Sequence, residues 1–379
     1  MATTLEKMAD MAGPGVGTYE ELEKILPTDY TPLLDPKETQ RAITDVKNYI
    51  EDGLCRELNL MRVTVPLIVD AESGLNDYLD RDGSRTPIEF RIDNDRSEHA
   101  ITAQIVQAAT KWKRYALNQF GFDVGEGLLT DMHAVRKDYF LDHDHSCYVD
   151  QWDWEQVIVE KDRNLAYLTD AVKRIWRVLT GAEEFILDRY PALRTEKYPC
   201  LPKELHFIHA EDLLTRFPRL PRKQRETKIL EEHAAVFIYG IGWTLADGLP
   251  HELRAPDYDD WVTETTSEDG RRMHGLNGDI LVWNPVTRRR HELSSMGIRV
   301  NSETLQRQLE LTERIDLLHY PYHKGIVRGT LPQSIGGGIG QSRTFMLLLR
   351  KAHLGEVSVA VWPKVLKDMC AERRIHVLE

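Results

Sequence analysis

The chain has 379 residues, 41% hydrophobic and 29% charged, with a formal net charge of −12. That composition belongs to a globular protein large enough to bury a substantial core as one large domain or two modest ones. The acidic balance argues against a broad electrostatic footprint for nucleic acid or an anionic membrane, and no apolar run approaches the roughly 20 residues that span a bilayer.

In chain order, the N-terminus carries Glu6 and Asp10 without an apolar stretch, so neither a secretory leader nor an arginine-rich transit peptide is expected. Gly13-Pro14-Gly15 reads as a flexible break and residues 18–26 as a short acidic helix. Residues 37–59 are helical and lead into a strand over 61–69 that contains Pro66. Cys55, Cys147, Cys200 and Cys370 lie far apart with no CxxC pair, which fits reduced thiols in a cytosol serving as small buried hydrophobes. His143-Asp144-His145 with Cys147 has the residue types of a metal cluster but lacks a second ligand pair at zinc spacing, and reads as a loop before a strand.

That strand covers residues 147–158. Alternation sends Tyr148, Trp152 and Trp154 to one face and Gln151, Asp153 and Glu155 to the other. Two tryptophans need burial, so the strand is interior. The acidic row then lies on a protected surface, where carboxylates need cations, donors or metal. Leu165, Leu168, Val172, Ile175, Trp176 and Leu179 recur at helical spacing and stop before Pro191, giving a long amphipathic helix that covers a sheet. The stretch 216–222 is a basic loop broken by Pro218 and Pro221.

Further on, Asn277-Gly278 reads as a turn opening a strand that Asn284-Pro285 closes, with Arg288-Arg289-Arg290 as a polar hairpin tip. The hairpin carries Asp279 and Glu292 on neighbouring strands, with Ser294, Ser295 and Arg299 beyond. This pattern suits either magnesium beside a phosphate or ordinary cross-strand charge pairing. Gly336-Gly337-Gly338-Ile339-Gly340 then runs into Gln341-Ser342-Arg343 and an apolar helix. Bare glycines let a backbone approach a ligand closely, and Arg343 offers a planar cation to a phosphate or a base. The stretch lacks the ending of a P-loop and the spacing of a dinucleotide fold. A tight strand-to-helix turn with a surface arginine is the other reading.

Lys111-Trp112-Lys113-Arg114, Gly125-Glu126-Gly127-Leu128, the strings 149–155, 254–261, 275–285 and 292–300, and the glycine stretch resemble, in order, the ammonia-dependent asparagine synthetases, or aspartate–ammonia ligases. That family is similar in fold to the catalytic core of class II aminoacyl-tRNA synthetases. The resemblance implies an α+β fold: a mainly antiparallel sheet flanked by helices, in a single catalytic domain over 37–379. Residues 1–36 form an N-terminal extension, partly flexible. The helix before Pro66 with the strand 61–69 resembles the first class motif, which implies a homodimer. Arg136 with residues 148–155 resembles the second motif, and 336–343 the third.

The reaction implied is ATP-dependent synthesis of L-asparagine from L-aspartate and ammonia through β-aspartyl-AMP, in the cytoplasm, with Mg2+ and without tRNA. By the same resemblance Asp77, Arg136, Asp259 and Arg343 are catalytic, with Asp77 beside the attacking ammonia. Lys113, Gln151, Asp153, Arg254, Ser295 and Gly338 bind substrate. Arg136, Asp279, Glu292, Ser294, Arg299 and Arg343 bind nucleotide, and Asp279 with Glu292 holds the metal. Ala108 departs from the family, whose bacterial members carry a serine at or near that position. No anticodon-binding barrel and no glutaminase motif are visible, and position 2 is alanine.

Overall fold

A computed structural model describes residues 17–79, 85–93, 99–267 and 269–379. Its strands, in chain order, are β1 (Leu60–Arg62), β2 (Ile68–Asp70), β3 (Ile88–Ile92), β4 (Ile101–Ile105), β5 (Gly127–Val135), β6 (Tyr148–Val157), β7 (His206–His209), β8 (Ala235–Tyr239), β9 (Glu264–Thr266), β10 (Arg272–His274), β11 (Asn277–Asn284), β12 (Arg289–Ile298) and β13 (Ser334–Gly340). Eight of them form one sheet in the order β1-β5-β6-β13-β12-β11-β8-β7. The inner pairs are antiparallel, and the edge pairs β1–β5 and β7–β8 are parallel. The mainly antiparallel sheet is therefore as expected. A small sheet, β2-β4-β3, lies apart from it.

Strand β6 decides which way the sheet faces. Trp152 and Trp154 are fully buried in the main hydrophobic cluster, together with Ile339 of β13, Met296 of β12 and Ile280 of β11. On this side the helices Pro36–Leu58 and Leu165–Arg189 close the core through Val46, Ile50, Leu54, Val172, Ile175 and Leu179. Their backbones come close at Gly53, where an added Cβ would lie 2.7 Å from Val178 Cγ1. Both helices follow their apolar periodicity. The first starts on Asp35, whose carboxylate caps it within a capping box, and on Pro36, whose missing N–H costs nothing at a first turn.

Two expectations about turns need correction. Gly336 to Gly340 is not a turn or loop but the body of β13, paired with β6 and β12, and none of these glycines has a positive φ. Asn277-Gly278 is not a turn but the first two residues of β11, and the left-handed residue is Gly275, with φ +100. The cysteines also differ from the expectation: all four are free, but only Cys370 is buried, while Cys200 is exposed.

Residues 17–36 pack into the same core as the rest of the chain; the expected Gly13-Pro14-Gly15 break lies outside the described residues. A capping box of Thr18 and Glu21 starts the helix Tyr19–Ile25, close to the expected 18–26. Leu22, Leu26, Tyr30 and Leu34 are at most 3% exposed and join the main cluster. Near the other end of the chain, Glu356 accepts the Tyr30 hydroxyl at 2.8 Å, and Lys351 donates to the Leu34 carbonyl at 3.2 Å. Burial pushes the Glu356 pKa up, so this carboxylate depends on its donors. Tyr30→Phe removes the donor to Oε2 while keeping the ring. We expect a loss of about 1–3 kcal/mol, read as a lower urea midpoint at unchanged slope. An unchanged midpoint would show that this bond does not hold the segment.

Candidate active site

The face of the sheet opposite the tryptophans carries the polar residues. Cross-strand register sets Asp153 (β6) opposite Gly338 (β13), Gly338 opposite Ser295 (β12), and Ser295 opposite Asp279 (β11). Directly paired residues share a face, so these four form one row across four strands. The glycine is required there: a Cβ on Gly338 would lie 2.5 Å from Asp153 Oδ1 and 2.9 Å from Gln151 Oε1. A bulge between Ile280 and Leu281 pairs Leu281 with Glu292, bringing Glu292 onto the Asp279 face. Ser294 pairs with Ile339 on the core face and donates to the Gly338 carbonyl at 2.9 Å. Of the two adjacent serines, Ser295 stands in the row and Ser294 does not.

Charges are then distributed along this face. Lys113, on the helix Thr110–Phe120, is fully buried; its Nζ donates to the Gly337 carbonyl at 2.7 Å and lies 3.5 Å from Asp153 Oδ1. Burial raises the Asp153 pKa and lowers that of Lys113, each against the pull of the other. Burial also raises Asp279; Glu292 and Glu252 add to this, while Arg254, which bridges to it, opposes. Burial would raise Glu155, but Arg299 and Lys113 hold it below its usual range. Asp153 Oδ2, Asp279 Oδ1 and Arg254 Nε are buried without a hydrogen-bond partner. Buried polar atoms are nearly always satisfied, so orphans converging on one face mark where a polar ligand fits.

Arg299 addresses the protein itself. Its Nε and Nη2 donate to Glu155 at 3.0 and 2.8 Å, Nη1 reaches Asp259, and Ser334 donates to Glu155 at 2.7 Å. Of the acidic row, Glu155 is thus internally paired while Asp153 keeps a free oxygen. Asp259 is held by Arg299, and burial pushes its pKa up. The two remaining arginines frame the loop between β5 and β6. Arg136 donates from Nε to the Gln107 carbonyl at 2.9 Å, with its guanidinium 6.0 Å from the centre of the Tyr139 ring. Arg343 leads the helix Gln341–Leu348; its Nη1 lies 3.6 Å from Glu292 Oε1 and its Nη2 3.2 Å from His145 Nε2.

Asp77 is not a solvated loop residue. It is 1% exposed, and its carboxylate accepts the backbone N–H groups of Thr110 at 2.7 Å and Lys111 at 3.3 Å. It therefore caps a helix whose own N-cap, Ala109, offers no side-chain oxygen. Ala108 is buried beside this cap.

Sequence reasoning assigned no role to Lys111, Asp257, His323 or Glu252. Asp257 Oδ2 accepts from Lys111 at 3.0 Å and contacts His323 Nε2 at 2.9 Å, all three fully buried. Glu252 meets Lys223 at 3.3 Å beside the Asp279 site. Lys111 and Asp257 stand inside the strings that carried the resemblance, which was the available signal; nothing local distinguishes Glu252 or His323.

A family model described as aspartate-ammonia ligase matches residues 37–374. A protein of Bacteroides thetaiotaomicron named aspartate–ammonia ligase is 45% identical over 354 residues, covering 93% of this chain and 99% of that protein. One from Clostridium perfringens with the same name is 45% identical over 358 residues, 94% of this chain and 100% of its own length. Among solved structures, the asparaginyl-tRNA synthetase of Pyrococcus horikoshii complexed with asparaginyl-adenylate aligns with a TM-score of 0.60 at 14% identity, over 86% of this chain and 70% of that one. The Entamoeba histolytica enzyme, also in complex with asparaginyl-adenylate, gives 0.59 at 10% identity, over 85% of this chain and 66% of that one. Such low identities speak for the fold alone, and the fold is the class II synthetase-like α+β core that was expected.

Proposed function

The chain belongs to the aspartate–ammonia ligase family, and from that premise we propose that it makes L-asparagine from L-aspartate, ammonia and ATP through β-aspartyl-AMP, releasing AMP and pyrophosphate. One observation of the geometry carries this reading. A single sheet face presents an unsatisfied carboxylate, Asp153, at one end and the carboxylates Asp279 and Glu292 at the other, with Arg343 beside them. The first suits an amino-acid ammonium group and the second a nucleotide phosphate.

The chemistry requires activation, because an anionic carboxylate is a poor electrophile with no leaving group. Transfer of AMP to the β-carboxylate of aspartate forms an acyl–phosphate bond and breaks the bond from the α-phosphorus to pyrophosphate. Attack by ammonia then expels AMP. Asp153, with Gln151 beside it, receives the substrate ammonium, and Lys113 and Arg254 receive its carboxylates. Arg254 exchanges its contact with Asp279 to do so. Arg136 and Arg343 offset charge that develops at the α-phosphate, with Ser295 and Gly338 lining the floor between. Asp279 and Glu292 fit Mg2+: Asp279 Oδ1 is buried and unpartnered, and Glu292 shares its face. When bound there, Mg2+ neutralises triphosphate charge. Arg299 holds Glu155 and Asp259 in place at the edge of the pocket. No tRNA takes part.

The same proposal includes a homodimer and a cytoplasmic site of action. Support for the dimer is an apolar surface on the β1 edge and the small sheet. Met61, Leu67, Ile68, Ile92 and Ile101 are 42–55% exposed there, the kind of patch that water-soluble chains cover with a partner. Support for the location is four unpaired cysteines; cell fractionation tests it. Ile68→Asp is expected to halve the mass measured by light scattering while leaving the far-UV spectrum intact. A wild-type chain that already runs as a monomer would remove the dimer.

Mixing the protein with ATP, Mg2+, aspartate and ammonium is expected to yield AMP and pyrophosphate. ADP and phosphate would sink the adenylate route.

Asp77 is assigned to the ammonia step, where a carboxylate beside the adenylate attracts ammonium and accepts a proton as the C–N bond forms. Asp77→Asn keeps one acceptor for the helix cap. Pyrophosphate exchange is therefore expected to stay near wild type while asparagine release slows by roughly 10²-fold or more. Equal loss of both, with a lower melting temperature, would leave Asp77 as a cap alone.

A further inference from the structure

Among the described residues, the reaction above leaves one cluster of ligating side chains unused. In the loop between β5 and β6, Asp142, His143 and Asp144 each offer a ligand atom, and these atoms lie within 4.8 Å of one another. His143 is 3% exposed, and its Nδ1 has no hydrogen-bond partner. That nitrogen faces Asp142 Oδ1 at 3.7 Å and Asp144 Oδ1 at 3.8 Å, too far for hydrogen bonds to either.

Two more imidazoles converge on the same carboxylate. His145 Nδ1 lies 2.9 Å from Asp144 Oδ1 and 3.0 Å from Asp142 Oδ1. His291, fully buried on β12, has Nδ1 3.7 Å from Asp144 Oδ2. Its Nε2 lies 2.9 Å from the Arg343 carbonyl oxygen, which can only accept. Nε2 therefore carries a proton, and Nδ1 faces Asp144.

Ordinary hydrogen bonding explains only part of the cluster. Asp142 Oδ1 accepts the N–H groups of Asp144 and His145, both at 2.9 Å, and His145 is a satisfied donor to the two carboxylates. His143 Nδ1 remains without a partner, and His291 Nδ1 faces Asp144 Oδ2 at 3.7 Å. Ligand atoms about 2.1 Å from a tetrahedral ion stand roughly 3.4 Å apart. The His143 separations of 3.7 and 3.8 Å lie a few tenths of an ångström above that value.

We propose that Asp142, His143 and Asp144 bind one divalent transition ion of the zinc type, with His291 facing Asp144 behind them, at a site distinct from the Asp279–Glu292 pair. Mixed imidazole and carboxylate donors favour zinc or cobalt over magnesium, which prefers an all-oxygen shell. The ion would act on Arg343 from behind. The Asp144 carbonyl accepts Arg343 Nε at 3.3 Å, His291 bonds the Arg343 carbonyl, and His145 Nε2 lies 3.2 Å from Arg343 Nη2. Binding there fixes both the backbone and the head group of the arginine.

The test titrates chelator-treated full-length protein with cobalt(II) and follows visible absorption, with zinc as competitor. One equivalent per chain is expected, with the intense bands of a four- or five-coordinate, nitrogen-ligated ion. Zinc should bleach them and excess magnesium should not. His143→Ala is expected to abolish the bands and His291→Gln to weaken binding by tenfold or more, with folding checked by circular dichroism. Should His143→Ala fail to fold, His143→Gln replaces it. Absence of stoichiometric bands in the wild type overturns the site whatever the variants do. So do wild-type bands in folded His143→Ala, or displacement by magnesium.

Discussion

Arg299, just beyond β12, joins Glu155 of β6 to Asp259 of the neighbouring loop, although β13 runs between the two strands. Gly336 makes the crossing possible. It pairs with Glu155 on one side and Gly297 on the other, and a Cβ there would lie 1.9 Å from Glu155 Oε2. The glycine strand is thus a slot through which a buried ion pair passes over the sheet. Buried charges tolerate such a place only when each meets its opposite, and removing one member strands the others at a cost of about 3–5 kcal/mol. The row Asp153–Gly338–Ser295–Asp279 lies two residues further along the same slot, so the polar face is organised by the same absence of side chains.

Alternation and helical periodicity were enough to read the tryptophan and carboxylate faces of β6, the hairpin β11–β12 and both long helices, because those signals are local. The glycine stretch was read as a turn for a physical reason. Glycine is commonest where φ is positive, and its use here, making room for side chains of adjacent strands, depends on partners about 40 and 180 residues away that no window contains. Adjacent Ser294 and Ser295 look equivalent in sequence, yet the pleat sends them to opposite faces. Asp77 reads as a loop residue until the helix it caps is brought beside it. The loop 142–145 has no zinc spacing because one of its converging imidazoles, His291, comes from another strand.

The likeness to asparaginyl-tRNA synthetases at 10–14% identity, beside 45% identity to aspartate–ammonia ligases, separates two layers of constraint. The sheet order with its parallel edges needs only apolar residues of suitable size and alternation, and many sequences meet that demand. The charged face is less forgiving. Lys113, Asp153, Glu155, Asp259 and Arg299 are all buried, and each lies beside a group of opposite type.

The Tyr30–Glu356 contact closes a separation of 326 residues. A chain leaving the ribosome therefore presents Leu22, Leu26 and Leu34 long before the surface that buries them has been made. Loop closure over such a distance is slow to find but, growing only with the logarithm of length, modest in equilibrium cost. The helix Tyr19–Ile25 is among the last to dock, and until then its apolar face is a surface that a holdase chaperone would cover.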